Sequence, residues 1–517
     1  MLLRAATLSL EALTLGGIFF LIFVARPVEA LPAVHAGIRR ITAWFAFALA
    51  FVQIALAATS SAVLIGSSDL KIQDVLSANY FIVDCVLAIA ALLLFFLLRS
   101  SWNWALSTSL VPALCIVGAS VALSHAASRL EYRGLLLAFT AAHHLGMAAW
   151  MGALPHLLIA LGKTENHEVA WRLVRRFSPL AIVAVALLVA AGLGMAWLYT
   201  GSWSALYGTS YGVMLVAKTY LLLITLALGA MNFLLAREHT PLLMRLRRFT
   251  EAEIGLGFTA ILVAASLTSQ PPATDLVKDR LTKQEIAQRA KWQWPSFQTP
   301  NLAQLTPPTS IEVGMRESIY TGGKPNDAND RAWSEYNHHW AGLIVLIAGI
   351  FALLARVPRL YWARNWPLLF IGLAIFILLR ADPENWPLGP RPFWASFSAP
   401  DVLEHRFYAL LITAFAFFEW GVETGRLKWQ KASLIFPVIC ALGGALLMTH
   451  SHSLGNIKDE MFAEMSHTPI ALLGATAGWS RWLELRLPDR RGTRLAAWLW
   501  PICLMLLGLV LLDYRES

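Results

Sequence analysis

The sequence predicts an all-α polytopic integral membrane protein of about fourteen transmembrane helices, and three observations lead to this class. Hydrophobic residues occupy 57% of the 517 positions, whereas charged residues occupy only 14%. The mean hydropathy of +0.58 is far above that of a soluble chain of this size. The apolar residues are collected into runs of about 20, the length at which an α-helix crosses the hydrocarbon core of a bilayer.

Eight apolar runs precede the first long polar segment, and six follow it. The first eight lie near 5–25, 41–65, 80–98, 105–126, 134–161, 178–200, 211–236 and 249–268. The last six lie near 339–355, 366–380, 406–422, 432–450, 468–485 and 495–512. The first run is long, contains Glu11 and has no clean small-x-small cleavage site after it. We therefore expect it to be a spanning helix and not a signal peptide.

The runs divide the chain into an eight-helix membrane domain at 1–268 and a six-helix membrane domain at 338–517, joined by a linker at 269–337. The linker is rich in Pro, Gly, Thr and Asn and has no sustained apolar period. Lys and Arg are concentrated in alternate loops, which predicts that those loops are cytoplasmic and that both termini and the linker are extracytoplasmic. The same pattern accounts for the net charge of +9 without a nucleic-acid partner.

The histidines of the six-helix domain all fall at the predicted extracytoplasmic ends of helices. A belt of interfacial aromatic residues and histidines is one explanation. Four helix ends with histidines at one level are more than a belt requires, so we favour a metal site. The histidines are His338, His339, His405, His450, His452 and His467.

The four cysteines lie inside apolar runs and form no CxxC, so neither disulfides nor thiolate clusters are expected.

Carboxylates and thioethers adjoin these histidines in the sequence. Two Glu-x-x-His pairs resemble the ligand pattern of di-iron helical bundles, whereas imidazole with thioether suits copper, so both metals stay open. Adjacent helical residues point about 100° apart. We therefore expect His338, which shares a face with Glu335, to bind and His339 to be a second ligand or to support the first. The additional candidate ligands are Glu335, Glu404, Glu464, Met461 and Met465.

The eight-helix domain has a polar set of its own at the same predicted level. His125 ends the fourth run, His143 lies in the outer part of the fifth, and Lys218 lies about two turns into the seventh. An ionisable residue inside a membrane span is a functional candidate by default, although Lys218 is shallow enough to extend its ammonium group outward. These three residues form a predicted second site.

Motifs of the eight-helix domain resemble those of the copper resistance D (CopD) family. The stretch "HHLGMAAWMGALPHLLIAL" at 143–161 resembles the His…Trp-x-Gly-x-Leu helix of that family, in which Trp150 follows His143 by seven residues. "ALSHAAS", "YGVMLVAK", Asn232 and the exit "SLTSQPPA" resemble its other helices. Ser124 stands where glycine is common. The resemblance covers about residues 1–275, and the six-helix domain resembles extensions of long members.

The resemblance implies a copper-handling protein of the bacterial inner membrane. Such a protein would bind copper at its periplasmic face and transport it inward or deliver it to copper enzymes. Its partners would be membrane lipid and either a periplasmic copper carrier or a membrane copper enzyme. The CopD fold is also similar to that of HemJ-type haem-synthesis oxidases, in which a membrane histidine and lysine are associated with haem b, and His143 with Lys218 fits that pattern.

Two alternatives to copper handling therefore remain open. One is a membrane redox protein with haem b or a di-metal centre such as di-iron, which as an enzyme would be an oxidoreductase. The other is a structural subunit of a larger membrane complex. The 21 tryptophans and the aromatic loop "WPLGPRPFWASF" at 386–397 suit contacts with partner proteins and with lipid headgroups equally well.

Overall fold

The protein is all-α in a computed structural model, which describes residues 1–28, 32–68, 71–102, 104–237, 243–300, 328–382, 385–396, 400–429, 431–449, 457–487 and 490–516. The regular elements of this part of the chain are helices, and one isolated bridge joins Asn385 and Arg391. Eleven described helices are long and apolar enough to cross a membrane. The predicted class, an all-α polytopic membrane protein, is confirmed.

The long helices of the amino-terminal half are numbered here in chain order. They are α1 (Leu2–Phe19), α2 (Pro32–Ser68), α3 (Asn79–Arg99), α4 (Leu110–Ala122), α5 (Arg133–Met147), α6 (Leu154–Lys163), α7 (His167–Thr200), α8 (Ser210–Arg237) and α9 (Leu243–Leu267). A π-helical turn at Phe20–Ala25 and a 3-10 turn at Arg26–Val28 extend α1, and a π-helical turn at Ala148–Gly152 joins α5 to α6. The short helices are Ile72–Leu76, Ala105–Thr108, His125–Ser128 and Trp203–Gly208.

Each of the eight predicted runs before the polar segment coincides with a helix of membrane-spanning length and hydropathy. These spans are Leu2–Val28, Pro32–Gly66, Asn79–Arg99, Ala105–Ala122, Arg133–Lys163, His167–Thr200, Ser210–Arg237 and Leu243–Leu267. The agreement arises because the hydrocarbon thickness dictates the length of an apolar run, and this length is legible without any tertiary information.

The carboxy-terminal half contains six further long helices. They are α10 (Ala328–Leu354), α11 (Leu369–Arg380), α12 (Pro400–Glu423), α13 (Ile435–Leu447), α14 (Ile457–Arg486) and α15 (Arg490–Leu512). Shorter pieces are Ala273–Asp275, Lys283–Arg289, Pro358–Leu368, Phe393–Ser396 and Ala432–Leu434. Three described helical segments of this half have spanning length and hydropathy, namely Arg331–Leu354, Pro358–Arg380 and Thr493–Leu512. The total of fourteen spans therefore stays a prediction, as does the extracytoplasmic position of both termini.

The chain divides into two compact units. The first unit consists of Met1–Leu206 and Met214–Asp275, and the second consists of Tyr207–Val213 and Leu276–Ser517. The part of the predicted linker from Leu276 onward thus belongs to the second unit. There the helix Lys283–Arg289 is joined to α14 by an ion pair of 2.7 Å between Glu285 and Lys458. Residues 301–327 lie outside the described residues.

In the first unit, α1 lies in backbone contact with the fifth span. A Cβ added at Gly152 would lie 1.8 Å from the carbonyl oxygen of Ala12, and one added at Gly16 would lie 2.1 Å from the carbonyl carbon of Gly152. No larger side chain fits at either position. An aliphatic core that includes Leu15 and Ile116, each 1% exposed or less, surrounds this crossing. The polar residues of α1 therefore lie within reach of those on α5.

The core of the second unit is aromatic. Trp366, Phe436 and Trp500 pack against one another with ring centroids 5.5 to 5.6 Å apart, and each is 3% exposed or less. Such tilted and edge-on pairs stabilise more than their buried area alone provides. This core holds the helices from which charged side chains of α12 and α14 project inward.

Candidate functional site

The first unit contains a buried carboxylate–imidazole pair that links α1 to α5. Glu11 is completely buried, and its Oε1 accepts a hydrogen bond of 2.9 Å from Nδ1–H of His144. Its Oε2 accepts a second bond, of 2.7 Å, from the hydroxyl of Ser120 on α4. The hydrogen bond fixes the orientation of the imidazole ring and leaves its lone pair on Nε2. Sequence reasoning missed this pair, although Glu11, an ionisable residue inside an apolar run, is itself a signal of a functional site.

His143 and Lys218, two residues of the predicted second site, are neighbours in the structure. Nδ1–H of His143 donates to the carbonyl oxygen of Leu188 at 3.1 Å, which leaves the lone pair on Nε2. The ammonium group of Lys218 lies 3.5 Å from that Nε2, at the long limit of a hydrogen bond. Both ring nitrogens are thus engaged, and this geometry lends no support to haem ligation by His143.

His125, the third residue of the predicted second site, lies between the spans and bonds elsewhere. Its Nε2–H donates to the carbonyl oxygen of Thr268 at 2.9 Å, just beyond the end of α9. One turn later, Arg129 binds Asp275 with both guanidinium nitrogens at 2.8 and 2.9 Å. Burial lowers the pKa of His125 below its usual value, and the bond to Thr268 opposes this shift. In the described part of the chain His125 does not bond to His143 or Lys218.

A second buried carboxylate, on α9, bonds to the fifth span at Trp150. Glu253 of α9, which is 2% exposed, accepts 2.9 Å from the indole N–H of Trp150 and 2.7 Å from the side-chain amide of Asn232. The π-helical turn Ala148–Gly152 positions the indole. Trp150 and Asn232 both belong to motifs that carry the family resemblance, and their shared acceptor was not predicted.

His156 forms a further polar level on the same span. It is completely buried. Its Nδ1–H donates to the carbonyl oxygen of Gly152 at 2.9 Å, and its Nε2 lies 3.3 Å from the hydroxyl of Thr42 on α2. Phe20 stacks against the ring, and Phe45 contacts it edge-on. Histidines at two levels of the fifth span therefore lie against other helices of the first unit.

In the second unit, two of the predicted extracytoplasmic histidines contact the same tyrosine. His338 of α10 stacks on Tyr514 with ring centroids 3.7 Å apart, and His467 of α14 contacts it edge-on at 5.9 Å. Nδ1–H of each histidine donates to a backbone carbonyl one turn earlier, that of Ser334 at 2.7 Å and that of Ala463 at 2.8 Å. The lone pair of each ring is therefore on Nε2, the arrangement that orients a ligating imidazole.

His339 has a different environment from its neighbour. It is 7% exposed, its Nδ1 accepts from the amide N–H of Ser296 at 3.1 Å, and its Nε2–H donates to the carbonyl oxygen of Tyr514 at 3.1 Å. Both nitrogens are used to hold two backbone segments against α10. The geometry favours a supporting function for His339, which is one of the two options that the sequence left open.

The remaining predicted ligands are distributed over the second unit. Oε1 of Glu335 accepts from the amide of Glu516 at 3.2 Å, and Nδ1 of His405 pairs with Asp382 at 2.9 Å. Met461 and Glu464 are buried, and Met465 is half-buried. His450 and His452 lie outside the described residues, as does the side chain of Glu404. Within the described residues there is no group of three or more His, Cys, Asp or Glu side chains placed to hold a metal ion.

Comparison with known proteins identifies part of the first unit. Residues 171–267 match the family model "Copper resistance protein D" (CopD), a range that contains Lys218, Asn232 and Glu253. The chain is 33% identical over 141 residues to "Copper transport protein CutJ" of Bacillus subtilis (strain 168). The match covers 27% of this chain and 25% of the relative, so the chain spans about a quarter of the relative's length. No solved structure matches. The resemblance to the CopD family is therefore confirmed over residues 171–267.

Proposed function

We propose that this protein handles copper in the bacterial inner membrane, binding it at the periplasmic face and moving it inward. Two comparisons support copper as the metal, namely the CopD family region and the relative named a copper transport protein. The observation that carries the proposal is the series of buried polar groups along the fifth span. Copper is the cargo of this protein and not a resident cofactor.

An ion that crosses a bilayer needs polar groups at successive depths, because a bare charge in hydrocarbon costs several kcal/mol or more. The fifth span presents such groups at His144, at Trp150 with its bonded Glu253, and at His156. Six residues separate each level from the next, or about 9 Å in a regular helix. Toward the predicted cytoplasmic side, Glu253 and His156 are the proposed polar groups of the path.

His144 is the residue of the first unit whose imidazole is oriented most favourably for copper ligation. A histidine that binds a metal through Nε2 usually donates its Nδ1–H to a carboxylate, which orients the ring and raises its basicity. Glu11 bonds to His144 in this way. Imidazole is a ligand for copper in both common oxidation states. We assign Nε2 of His144 the direct contact and Glu11 the supporting bond.

In the second unit, His338 and His467 are the proposed capture ligands. Each has its Nε2 lone pair fixed by a backbone hydrogen bond, and the two rings lie on the same tyrosine. The other proposed ligands of this periplasmic set are His405, Glu335, Glu404, Glu464, Met461 and Met465, together with His450 and His452, which lie outside the described residues. Delivery to a membrane copper enzyme or uptake from a periplasmic carrier would begin at this set.

The test is copper uptake into liposomes that contain the purified full-length chain, followed with a copper-sensitive dye inside. Wild-type protein should raise the internal copper signal. His144→Ala should slow uptake about tenfold if the lost ligand contributes about 1.4 kcal/mol to binding along the path. His167→Ala is the matched control, since His167 is exposed at the start of α7. Uptake by His144→Ala at the wild-type rate would remove the fifth span from the path. No uptake and no copper binding by wild type would refute the function.

A further inference from the structure

The second unit contains a buried charge network in which carboxyl groups outnumber guanidinium groups. Arg481 of α14 bonds to Glu484 at 2.7 Å and to Glu423 of α12. Arg356 of α10 binds both oxygens of Glu484, and both guanidinium groups lie over the ring of Trp500 at 5.0 to 5.1 Å. Two cations are therefore matched by two carboxylates before any other residue is counted.

Glu419 is the third carboxyl group of this network and lies one turn before Glu423 on α12. Its side chain is completely buried, and its Oε1 is 3.8 Å from the nearest guanidinium nitrogen of Arg481. Neither of its oxygens has a hydrogen-bond partner among the described residues. The thiol of Cys440 on α13 also interacts with it electrostatically.

An ionised carboxylate in this position is unfavourable for two reasons. Desolvation without compensating hydrogen bonds costs several kcal/mol, and like charges four residues apart on a helix repel each other. The neighbouring Arg481 already has two closer carboxylate partners. A neutral carboxyl group removes the repulsion and lowers the desolvation cost. A bound metal cation would not, because two guanidinium groups of the same sign already occupy the network.

We propose that Glu419 is a proton-binding site of the second unit, protonated in the arrangement described here. Loss of the proton would set three carboxylates against two guanidinium groups, so Arg481 would have to be shared among Glu419, Glu423 and Glu484. Binding and release of the proton are thereby coupled to the positions of α12 and α14. The proposal concerns the second unit alone and does not depend on copper.

The test is the infrared carbonyl-stretch band of protonated carboxyl groups in the purified full-length chain, recorded as the difference between wild type and variants. Glu419→Gln should remove one component of this band and leave the thermal unfolding midpoint unchanged, because a neutral group replaces a neutral group. Glu423→Gln is the matched control on the same helix. It should retain the band but lower the midpoint, because it takes a carboxylate from Arg481.

Each outcome decides the proposal. A band unchanged in Glu419→Gln, or a midpoint that falls as far as that of Glu423→Gln, would show an ionised Glu419 and overturn it. Should Glu419→Gln not fold, Glu419→Met replaces it, since methionine is neutral and of similar length. Failure of both variants to fold would mean that the charge of Glu419 is required, which also overturns the proposal.

Discussion

Glu11 on α1 and His144 on α5 form a hydrogen bond of 2.9 Å inside the membrane domain, and the carboxylate involved is completely buried. The contact is possible because glycines at positions 16 and 152 let the two backbones touch. A carboxylate removed from water in this way needs both of its bonds, those to His144 and to Ser120. The pair is therefore the most sensitive point of the proposed copper path.

Glu11→Ala should weaken both the fold and copper binding. The imidazole and the hydroxyl of Ser120 lose their acceptor, a cost of about 1–3 kcal/mol for an unsatisfied buried group. Copper affinity should fall by about 10- to 100-fold, as for other losses of a bond that supports a ligand. Competition with a copper chelator measures the affinity. Glu11→Gln keeps an acceptor oxygen, so its copper affinity should lie between those of wild type and Glu11→Ala. An unchanged affinity in Glu11→Ala would contradict the supporting function assigned to Glu11.

Lys218→Met should strengthen copper binding in the first unit. The ammonium group lies 3.5 Å from Nε2 of His143. There it repels a copper cation and occupies the lone pair of the imidazole. Removal of a like charge at this distance is worth about 1–4 kcal/mol, which is about fivefold or more in affinity. Lys218→Arg keeps the charge and serves as the control. Weaker binding by the methionine variant would show that Lys218 helps to hold the ion.

Stability should decrease below about pH 6.5, the usual pKa of histidine, because of His125. Burial lowers the pKa of His125 in the folded chain, so the unfolded chain binds more protons in this range. The contribution to stability is full above the unfolded pKa and is lost as the pH falls through the folded pKa. Thermal unfolding between about pH 8 and 5 measures the effect. His125→Gln keeps a donor for Thr268 and should show a shallower pH dependence; equal slopes would exclude His125 as the source.

Substitution of His338 and of its neighbour His339 on α10 should have different effects on copper content and on stability. His339→Ala leaves the amide of Ser296 and the carbonyl of Tyr514 without their partner, so the unfolding midpoint should fall while copper content is retained. His338→Ala removes a proposed ligand and should reduce copper content with a smaller change in the midpoint. Metal analysis and thermal unfolding of the two variants provide the comparison. The reverse result would exchange the two assignments.

The positions of the first eight spans were predictable because they depend on one local quantity, the length of an apolar run. The partners of Glu11 and Trp150 were not, because each pair joins helices that are distant in sequence. His143 and Lys218 were grouped in the predicted second site because of their common predicted level, whereas their direct contact depends on how the helices pack. In the second unit, the helices α13 and α14 differ from simple spans, since α13 has 13 residues and α14 carries buried Arg481 together with Glu484.

The π-helical turn Ala148–Gly152 also determines the phase of the fifth span. Twelve residues separate His144 from His156, and in an uninterrupted α-helix their side chains would point about 120° apart. A π-turn takes up one additional residue, which reduces this angle to about 20°. Both rings then face α1, where Glu11 meets the first and a Cβ at Gly17 would lie 2.8 Å from Nε2 of the second. If the turn closed to regular α-helix with all of its residues kept, His156 would rotate by about 100° away from α1, while every side chain of the path stayed in the chain.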